Sequence, residues 1–479
     1  MDKYSEFYNV LDEKAKLFLE FSKGKNIRVI SHLDSDGICA ASIMTKALMR
    51  ENIPHSISIV TQLKENIIQE LSNEKYDIYI FTDLGSGQIE LIDKYLKDKT
   101  IFILDHNEPN DIRIDNENIH HINPHLCGID GSKEISGSGV VYLFAERISD
   151  ENKDLSHIPI IGAIGDNQEK EGFEFLNNQI LSTAIANKKI NVEKGLKFFG
   201  LETKPLYKVL SNCTEPVIPG ISGDDQKTID FLESIDISPF IGNKARKFFN
   251  LTSDEKEKLI SALIIKRNNE ENPEDILGNL YLIEGESDGM QTKDAREFST
   301  LLNACGRLNR SSLGIGACLN NHDMKKKAIE SLKDYKREIM NSINLYYKNK
   351  KDNNEILTGD NYIILKPKNE ILETMIGTLT SMVSRNKNIA PNTFIMSLAE
   401  LEDGNMKVSI RIANCDNEDI DVNGIVKDIT DFLGGESGGH KMAAGAIIDP
   451  EIEDDFIAKA INIFETKYPK EIIINEIDN

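Results

Sequence analysis

The 479-residue chain contains no tryptophan and only six cysteines, at positions 39, 127, 213, 305, 318 and 415. The missing tryptophan carries no functional reading. The cysteines are scattered, with no C-x-x-C pair, which excludes a disulfide scaffold and a structural zinc site. Long apolar runs are also lacking, since none approaches the roughly 18 residues of a membrane span. The leading Met1-Asp2-Lys3-Tyr4-Ser5-Glu6 is polar, with no apolar signal core behind it, so the expected location is cytoplasmic. Positive charge is in deficit: 56 Lys and Arg face 79 Asp and Glu, a net charge of −23. Such a balance argues against coating nucleic acid through global electrostatics. It leaves room for a local basic path, or for divalent cations that turn an acidic cleft into a phosphate site.

The first third alternates short apolar runs with amphipathic stretches, which predicts a parallel sheet with crossover helices. Expected strands are Asn26–Ser31, Ser56–Val60, Asp77–Thr82, Ile101–Leu104 and His120–Asn123, with helices over Ile38–Arg50, Ile89–Leu96 and Ser138–Ile148. Ile158–Ile164 reads as a buried helix or a strand. From about Asn187 the sequence is charged and mostly helical in period, ending in a long helix over Met324–Asn349 and a linker over Lys348–Asn354. The last stretch predicts strands at Tyr362–Leu365, Asn392–Leu398, Lys407–Ile412 and Met442–Ile448. Helices are expected at Leu372–Arg385, Val422–Leu433 and Asp455–Phe464. The expected fold class is α/β, with two α/β lobes joined by a helical middle region, divided as 1–186, 187–350 and 351–479.

His32-Leu33-Asp34-Ser35-Asp36-Gly37 follows an apolar strand and precedes a helix. The carboxyl ends of strands are where open α/β sheets place ligands. Alternation puts His32, Asp34 and Asp36 on one side if the chain stays extended, and Gly37 permits a sharp entry into the helix. Alone, the two aspartates read equally well as a helix cap and a turn. The next apolar runs end in Asp83, in Asp105-His106-Asn107 and in Gly165-Asp166-Asn167. In a parallel sheet such ends meet at one rim, where uncompensated carboxylates repel one another. Divalent cations remove that repulsion, and oxygen ligands with one or two imidazoles suit Mn²⁺ or Mg²⁺ better than zinc. The number of carboxylates predicts two ions, bridged by Asp83 at about 3.5–4 Å.

Near the C-terminus, Gly434-Gly435-Glu436-Ser437-Gly438-Gly439-His440-Lys441 leads into Met442-Ala443-Ala444-Gly445-Ala446. Consecutive glycines let backbone N–H groups cradle an anion; the alternative is a helix cap with a plain loop. Ser409 and Arg411 alternate on the preceding strand and share a face, from which Arg411 is a candidate phosphodiester clamp. Arg296, Arg307 and Arg310 are candidates for a strand path. His120, His121 and His125 fit no metal template and are read as structural.

Together these motifs resemble the DHH phosphoesterase superfamily, and within it the RecJ-like nucleases. The four aspartate-bearing segments match in order, and Gly438-Gly439-His440…Ala443-Ala444-Gly445 is similar to the DHH-associated C-terminal signature. Arg296-Glu297-Phe298…Leu302-Asn303-Ala304-Cys305-Gly306-Arg307 is similar to archaeal RecJ-like proteins, including the GINS-associated nuclease. The resemblance implies a two-metal, Mn²⁺-dependent phosphodiesterase (Mg²⁺ as the alternative ion). It implies His32, Asp34 and Asp83 at one ion, and Asp36, Asp83, His106 and Asp166 at the other. Asp105, His106 and Asn107 would form the catalytic motif, Asp105 orienting His106 or shaping the turn. Ser409, Arg411, Gly438, Gly439 and His440 would face substrate phosphates. Asn107 departs from the family's second histidine and cannot carry charge. The implied function is a single-strand-specific exonuclease on DNA or RNA, releasing mononucleotides in replication or repair, with GINS or other replisome proteins as further partners and no membrane. The alternatives are a GINS-associated scaffold with little activity, and a hydrolase of short oligonucleotides or cyclic dinucleotides.

Overall fold

In this computed structural model the described residues are 2–468, apart from 111–113, 171, 215, 353–355, 367–370, 387, 402 and 416–419. For residues 345, 347–352 and 440 the backbone alone is described. The chain divides into two compact units, Met1–Leu332 and Lys333–Asn479.

The first unit opens with α1 (Lys3–Phe21), β1 (Ile27–His32), α2 (Ser35–Arg50), β2 (His55–Val60), α3 (Glu65–Ser72) and β3 (Ile78–Thr82). It continues with α4 (Ile89–Leu96), β4 (Thr100–Leu104), β5 (Ile119–Ile122), α5 (Gly137–Ile148), α6 (His157–Gly165) and α7 (Phe175–Ala186). All five strands are parallel, in the order β2-β1-β3-β4-β5. Helices cover both faces, which is why β3 is apolar almost without alternation and wholly buried. Tyr79, Phe81, Ile101 and Ile103 pack with Ile68 of α3 and Ile92 of α4. On the opposite face Phe102 meets Phe18 of α1 and Phe144 of α5, with ring centroids 5.3 and 6.1 Å apart. Strand order reverses between β1 and β3, and the carboxyl ends of strands at such a switch point leave a crevice for ligands.

Ile158–Ile164 resolves as helix α6, not as a strand. Pro159 lies in its first turn, where a missing N–H costs no intrahelical bond. The middle region carries more strand than its helical period predicts. It comprises β6 (Ile190–Leu196), α8 (Leu206–Ser211), α9 (Asp225–Ser234), β7 (Phe240–Ile241), β8 (Lys244–Ala245), α10 (Ser253–Lys266) and β9 (Leu277–Ile283). β6 and β9, far apart in sequence, pair antiparallel around a separate apolar core that includes Leu210, Leu232, Leu259 and Ile276. Then α11 (Ala295–Arg307) and α12 (Ser311–Cys318) return to pack on α2. The long helix α13 (His322–Asp352) runs through Lys348–Asp352 of the expected linker. Lysines there favour helix; Asn353 and Asn354 lie outside the described residues.

The second unit contains β10 (Ile356–Thr358), β11 (Tyr362–Leu365), α14 (Ile376–Ser384), β12 (Thr393–Glu400), β13 (Met406–Ala413) and α15 (Val422–Leu433). It ends with β14 (Glu436–His440), β15 (Ala443–Ile448) and α16 (Glu453–Lys467). Its six strands run β10-β11-β12-β13-β15-β14, parallel only between β11 and β12. Val408, Ile410 and Ile412 face α15 and α16, whereas Ile395 and Ala399 lie under α14.

Glu297, in the first turn of α11, ties that helix to the middle region. Its carboxylate accepts the Glu202 N–H at 3.1 Å and the Thr203 hydroxyl, and the residue is 1% exposed. Burial pushes its pKa up to about 7. A raised carboxyl pKa means the native state holds a proton that the unfolded chain gives up above its ordinary value. Stability from this site is therefore complete below about pH 4.5 and falls as pH rises through about 7. Glu297→Gln should flatten that decline, a difference of at most about 3 kcal/mol at pH 8, read from denaturant melts at pH 5 and pH 8.

Candidate metal centre

β1 ends at His32, and Asp34 caps α2, its Oδ1 accepting the Gly37 N–H at 3.0 Å. Asp36 sits one residue into that helix, so a cap and a first turn bring the two carboxylates together, not the extended chain that alternation assumes. Asp36 is fully buried. Its carboxylate accepts the Ser138 N–H at 3.2 Å and the Ser138 hydroxyl, both from the N-terminus of α5. Asp83 follows β3 with φ 58°, a left-handed conformation that Asp tolerates better than most residues. Asp166 is the C-cap of α6, so the fourth carboxylate comes from a helix end and not from a fifth sheet edge. Gly137 and Gly162 allow this crowding: a Cβ on either would overlap the Asp83 or the Asp36 carboxylate.

His32 Nδ1 stands 3.0 Å from Asp34 Oδ2 and 3.8 Å from Asp83 Oδ2. His106 Nε2 lies 3.4 Å from Asp83 Oδ1, 3.4 Å from Asp166 Oδ2 and 4.0 Å from Asp36 Oδ2. Two donor sets result, His32/Asp34/Asp83 and Asp36/Asp83/His106, each with its ligand atoms within 4.8 Å of one another, and Asp83 belongs to both. Burial, and then the charges of Asp36 and Asp34, push the Asp83 carboxyl well above the usual range. Burial and the Asp36 charge do the same to Asp166. Burial pulls the His106 pKa down, but the Asp83 hydrogen bond and the Asp166 and Asp83 charges outweigh it and raise it well above normal.

His106 Nδ1 lies 2.7 Å from the Gly131 carbonyl, so it donates there. Its Nε2 is left facing three carboxylates, an arrangement that demands a proton or a cation at that point. The donor set therefore fits hard divalent cations. Asp105 does not orient His106. It takes the other expected role, shaping the turn through the N–H groups of His106 and Asn107 at 2.8 and 3.2 Å and that of Ser86 at 3.0 Å. The Asn107 amide is spent on the same carboxylate at 2.9 Å.

Residues beyond the expected ligands complete the rim. Gly131 receives its own support from His125, whose Nε2 accepts the Gly131 N–H at 3.3 Å. Gln168 donates to the Gly131 carbonyl at 3.0 Å. The histidine cluster is thus partly a prop for His106; His120 instead stacks on Phe21 and meets Phe102 at a tilt. Asn303 of α11 accepts the Ser35 N–H at 3.0 Å. Arg307 lies close enough to lower the pKa of Asp34 and to oppose protonation of His32. Arg296 is not available to a substrate strand, because Glu169 binds it through two contacts of 2.8 and 2.9 Å. Arg310 donates to Ser331 Oγ at 3.0 Å. The signal that could have found Gly131 and Asn303 is weak, a lone glycine and an asparagine far from the motif.

In the second unit the glycine motif is not a loop cradle. Gly438 and Gly439 lie in edge strand β14, opposite Gly445 and Ala444 of β15. Lys441 and Met442 form the turn between the two strands, and Gly439 takes a positive φ of 143° that other residues rarely adopt. Ser409 and Arg411 do share a face, both next to Gly377 of α14. Ser409 is buried, and Arg411 donates to Ser381 Oγ at 3.2 Å and to the carbonyls of Ile410 and Ala444 at 2.8 and 3.3 Å. Its fork is engaged with the protein, not free as a clamp.

A doubly wound parallel sheet with a shared-aspartate rim, followed by a second α/β unit, is the architecture of the DHH family, and the chain belongs to it. The model of the DHH family N-terminal domain matches residues 26–164, that of the DHH-CID domain 198–280 and that of the DHHA1 domain 370–466. "Uncharacterized protein MJ0831" of Methanocaldococcus jannaschii is 32% identical over 443 residues, covering 91% of this chain and 93% of that protein. Among solved structures, RecJ of Thermus thermophilus in complex with Mn²⁺ superposes with TM-score 0.57 and 15% identity over 94% of this chain. This chain spans only 54% of that RecJ. CDC45 from Entamoeba histolytica superposes with TM-score 0.60 at 12% identity, covering 97% of this chain and all of its own. Among the described residues no helix is long and apolar enough to cross a membrane.

Gly306 faces the Leu33 carbonyl so closely that a Cβ there would overlap its oxygen. Gly306→Ala must push α11 away from the turn that carries Asp34, at a cost of about 1–3 kcal/mol. The expected result is a lower melting temperature together with weaker Mn²⁺ binding by calorimetric titration.

Proposed function

We propose that the protein is a divalent-metal-dependent phosphodiesterase, a single-strand-specific exonuclease of DNA, with RNA as a second substrate, that releases mononucleotides in replication or repair. The observation that carries this reading is Asp83 shared between two donor sets at the sheet's switch point. His32, Asp34 and Asp83 would hold one cation, and Asp36, Asp83, His106 and Asp166 the other, with Mn²⁺ the favoured ion and Mg²⁺ the alternative. Bound cations there supply water activation and offset charge developing on phosphorus.

The chain's own residues do the rest. Ser138 and the α5 N-terminus hold Asp36, and the Gly131 carbonyl fixes the tautomer and direction of His106. Gly306 sits against the Leu33 carbonyl, so the adjoining Arg307 is the cation we assign to a phosphate beside the rim. With Asn107 committed to Asp105, that arginine takes over the phosphate contact that the family's second histidine makes. The outer edge of β14 offers backbone N–H groups to a nucleic-acid strand. Gly438, Gly439 and His440 lie on β14, whereas Ser409 and Arg411, on β13, are engaged against α14.

A scaffold without activity, associated with GINS, is the less favoured reading. Four clustered carboxylates that bind nothing are electrostatically expensive to keep. Hydrolysis of short oligonucleotides or cyclic dinucleotides is also less favoured, because the long middle region is more than such a substrate needs.

Asp34→Ala and Asp166→Ala should each abolish Mn²⁺-dependent degradation of end-labelled single strands while shifting the melting temperature little. Arg307→Ala should cut kcat/KM by about 10²-fold or more, whereas Arg296→Ala should mainly lower stability. Full activity in either aspartate variant rejects the assignment, and a wild-type chain inert on both sugars leaves the scaffold reading in force.

A further inference from the structure

The first unit also holds a cavity of about 210 Å³ of mixed polar and apolar lining, reached by the same helices that build the metal rim. Lys46 lines it from α2, eleven residues and about 16 Å along the helix from Ser35 at the rim. His157 lines it from the first residue of α6, whose other end carries Asp166. Phe298 lines it from the start of α11, whose later turns deliver Asn303 and Arg307 to the rim. Lys189, just before β6, completes the polar lining.

The charges in this cavity do not balance one another. Asp154 is taken up by Arg50 through two contacts of 2.8 and 2.7 Å. Glu286 is taken up by Lys325 and by the Thr292 hydroxyl. Glu284 stands exposed at the mouth. Lys46 and Lys189 are half-buried, and neither ammonium makes a hydrogen bond or close ion pair among the described residues, although Lys189 is near enough to Asp154 and His157 to shift both. His157 Nδ1 is buried with no hydrogen-bond partner. Burial, and then the Lys189 charge, pull its pKa down to about 4, so the ring is neutral.

We propose that this cavity binds a small phosphate-bearing anion, held by Lys46 and Lys189 with His157 as its hydrogen-bonding partner. Two ammonium point charges and a neutral imidazole suit a compact dianion. A space below the roughly 300 Å³ of drug-sized pockets limits the ligand to orthophosphate or a single small phosphomonoester.

The test uses the full-length protein, stripped of metal by chelation so that no bound cation at the rim recruits the anion. Isothermal titration with orthophosphate and, separately, with adenosine monophosphate should each be compared in wild type and variants. Saturable one-to-one binding at millimolar ligand is expected, weakened at least about tenfold by Lys46→Met or Lys189→Met and unchanged by Lys75→Met elsewhere on the surface. Lys189→Arg, which keeps the charge, should bind more tightly than Lys189→Met. Tighter orthophosphate assigns the site to free phosphate, and tighter adenosine monophosphate to a mononucleotide. No saturable binding, or wild-type binding that survives in the folded Lys46→Met/Lys189→Met double variant, overturns the proposal. No measurement here reads catalysis, so the outcome is independent of the nuclease reading.

Discussion

The controlling constraint is the crowding of four carboxylates, Asp34, Asp36, Asp83 and Asp166, around two imidazoles in a largely dry pocket. Burial and neighbouring carboxylates both oppose ionisation of Asp83 and Asp166. Arg307 relieves a small part of this strain, at Asp34. The fold relieves a further part with dipoles, namely the α5 N-terminus on Asp36 and the Gly37 N–H on Asp34. The remainder is the kind of deficit that divalent cations fill. The glycines at 137 and 162 exist in this context to admit carboxylates against helix backbone.

The same constraint explains why a segment some 270 residues downstream matters. Helix α11 closes on the Asp34 turn through Asn303, and Gly306 lets it approach the Leu33 carbonyl. Three arginines of this region looked alike in sequence but have separate tasks. Arg296 is neutralised by Glu169, Arg310 binds Ser331, and Arg307 remains electrostatically coupled to the rim.

Much of the site was legible because strands and aspartates alternate in a fixed order. The apolar runs ending in Asp83 and Asp105 resolve as β3 and β4, and helices Ile89–Leu96 and Val422–Leu433 match to the residue. Helix α1 escaped notice even though Phe7, Leu11, Ala15 and Phe18 are spaced for one buried face and Asp2 caps it. The glycine-rich segment misled for a physical reason: glycine is compatible with a nest and with an extended edge strand, and only the pairing with β15 selects between them.

The order of chemical groups along the chain was enough to determine a parallel α/β sheet with an acidic, histidine-bearing rim, because side-chain character and period are local properties. Sequence spacing could not determine that Gly131 rather than Asp105 aims His106, or which arginine lies beside the Asp34 turn. Those outcomes depend on distances between residues tens to hundreds of positions apart. Strand order and helix packing set such distances, and no local pattern encodes them.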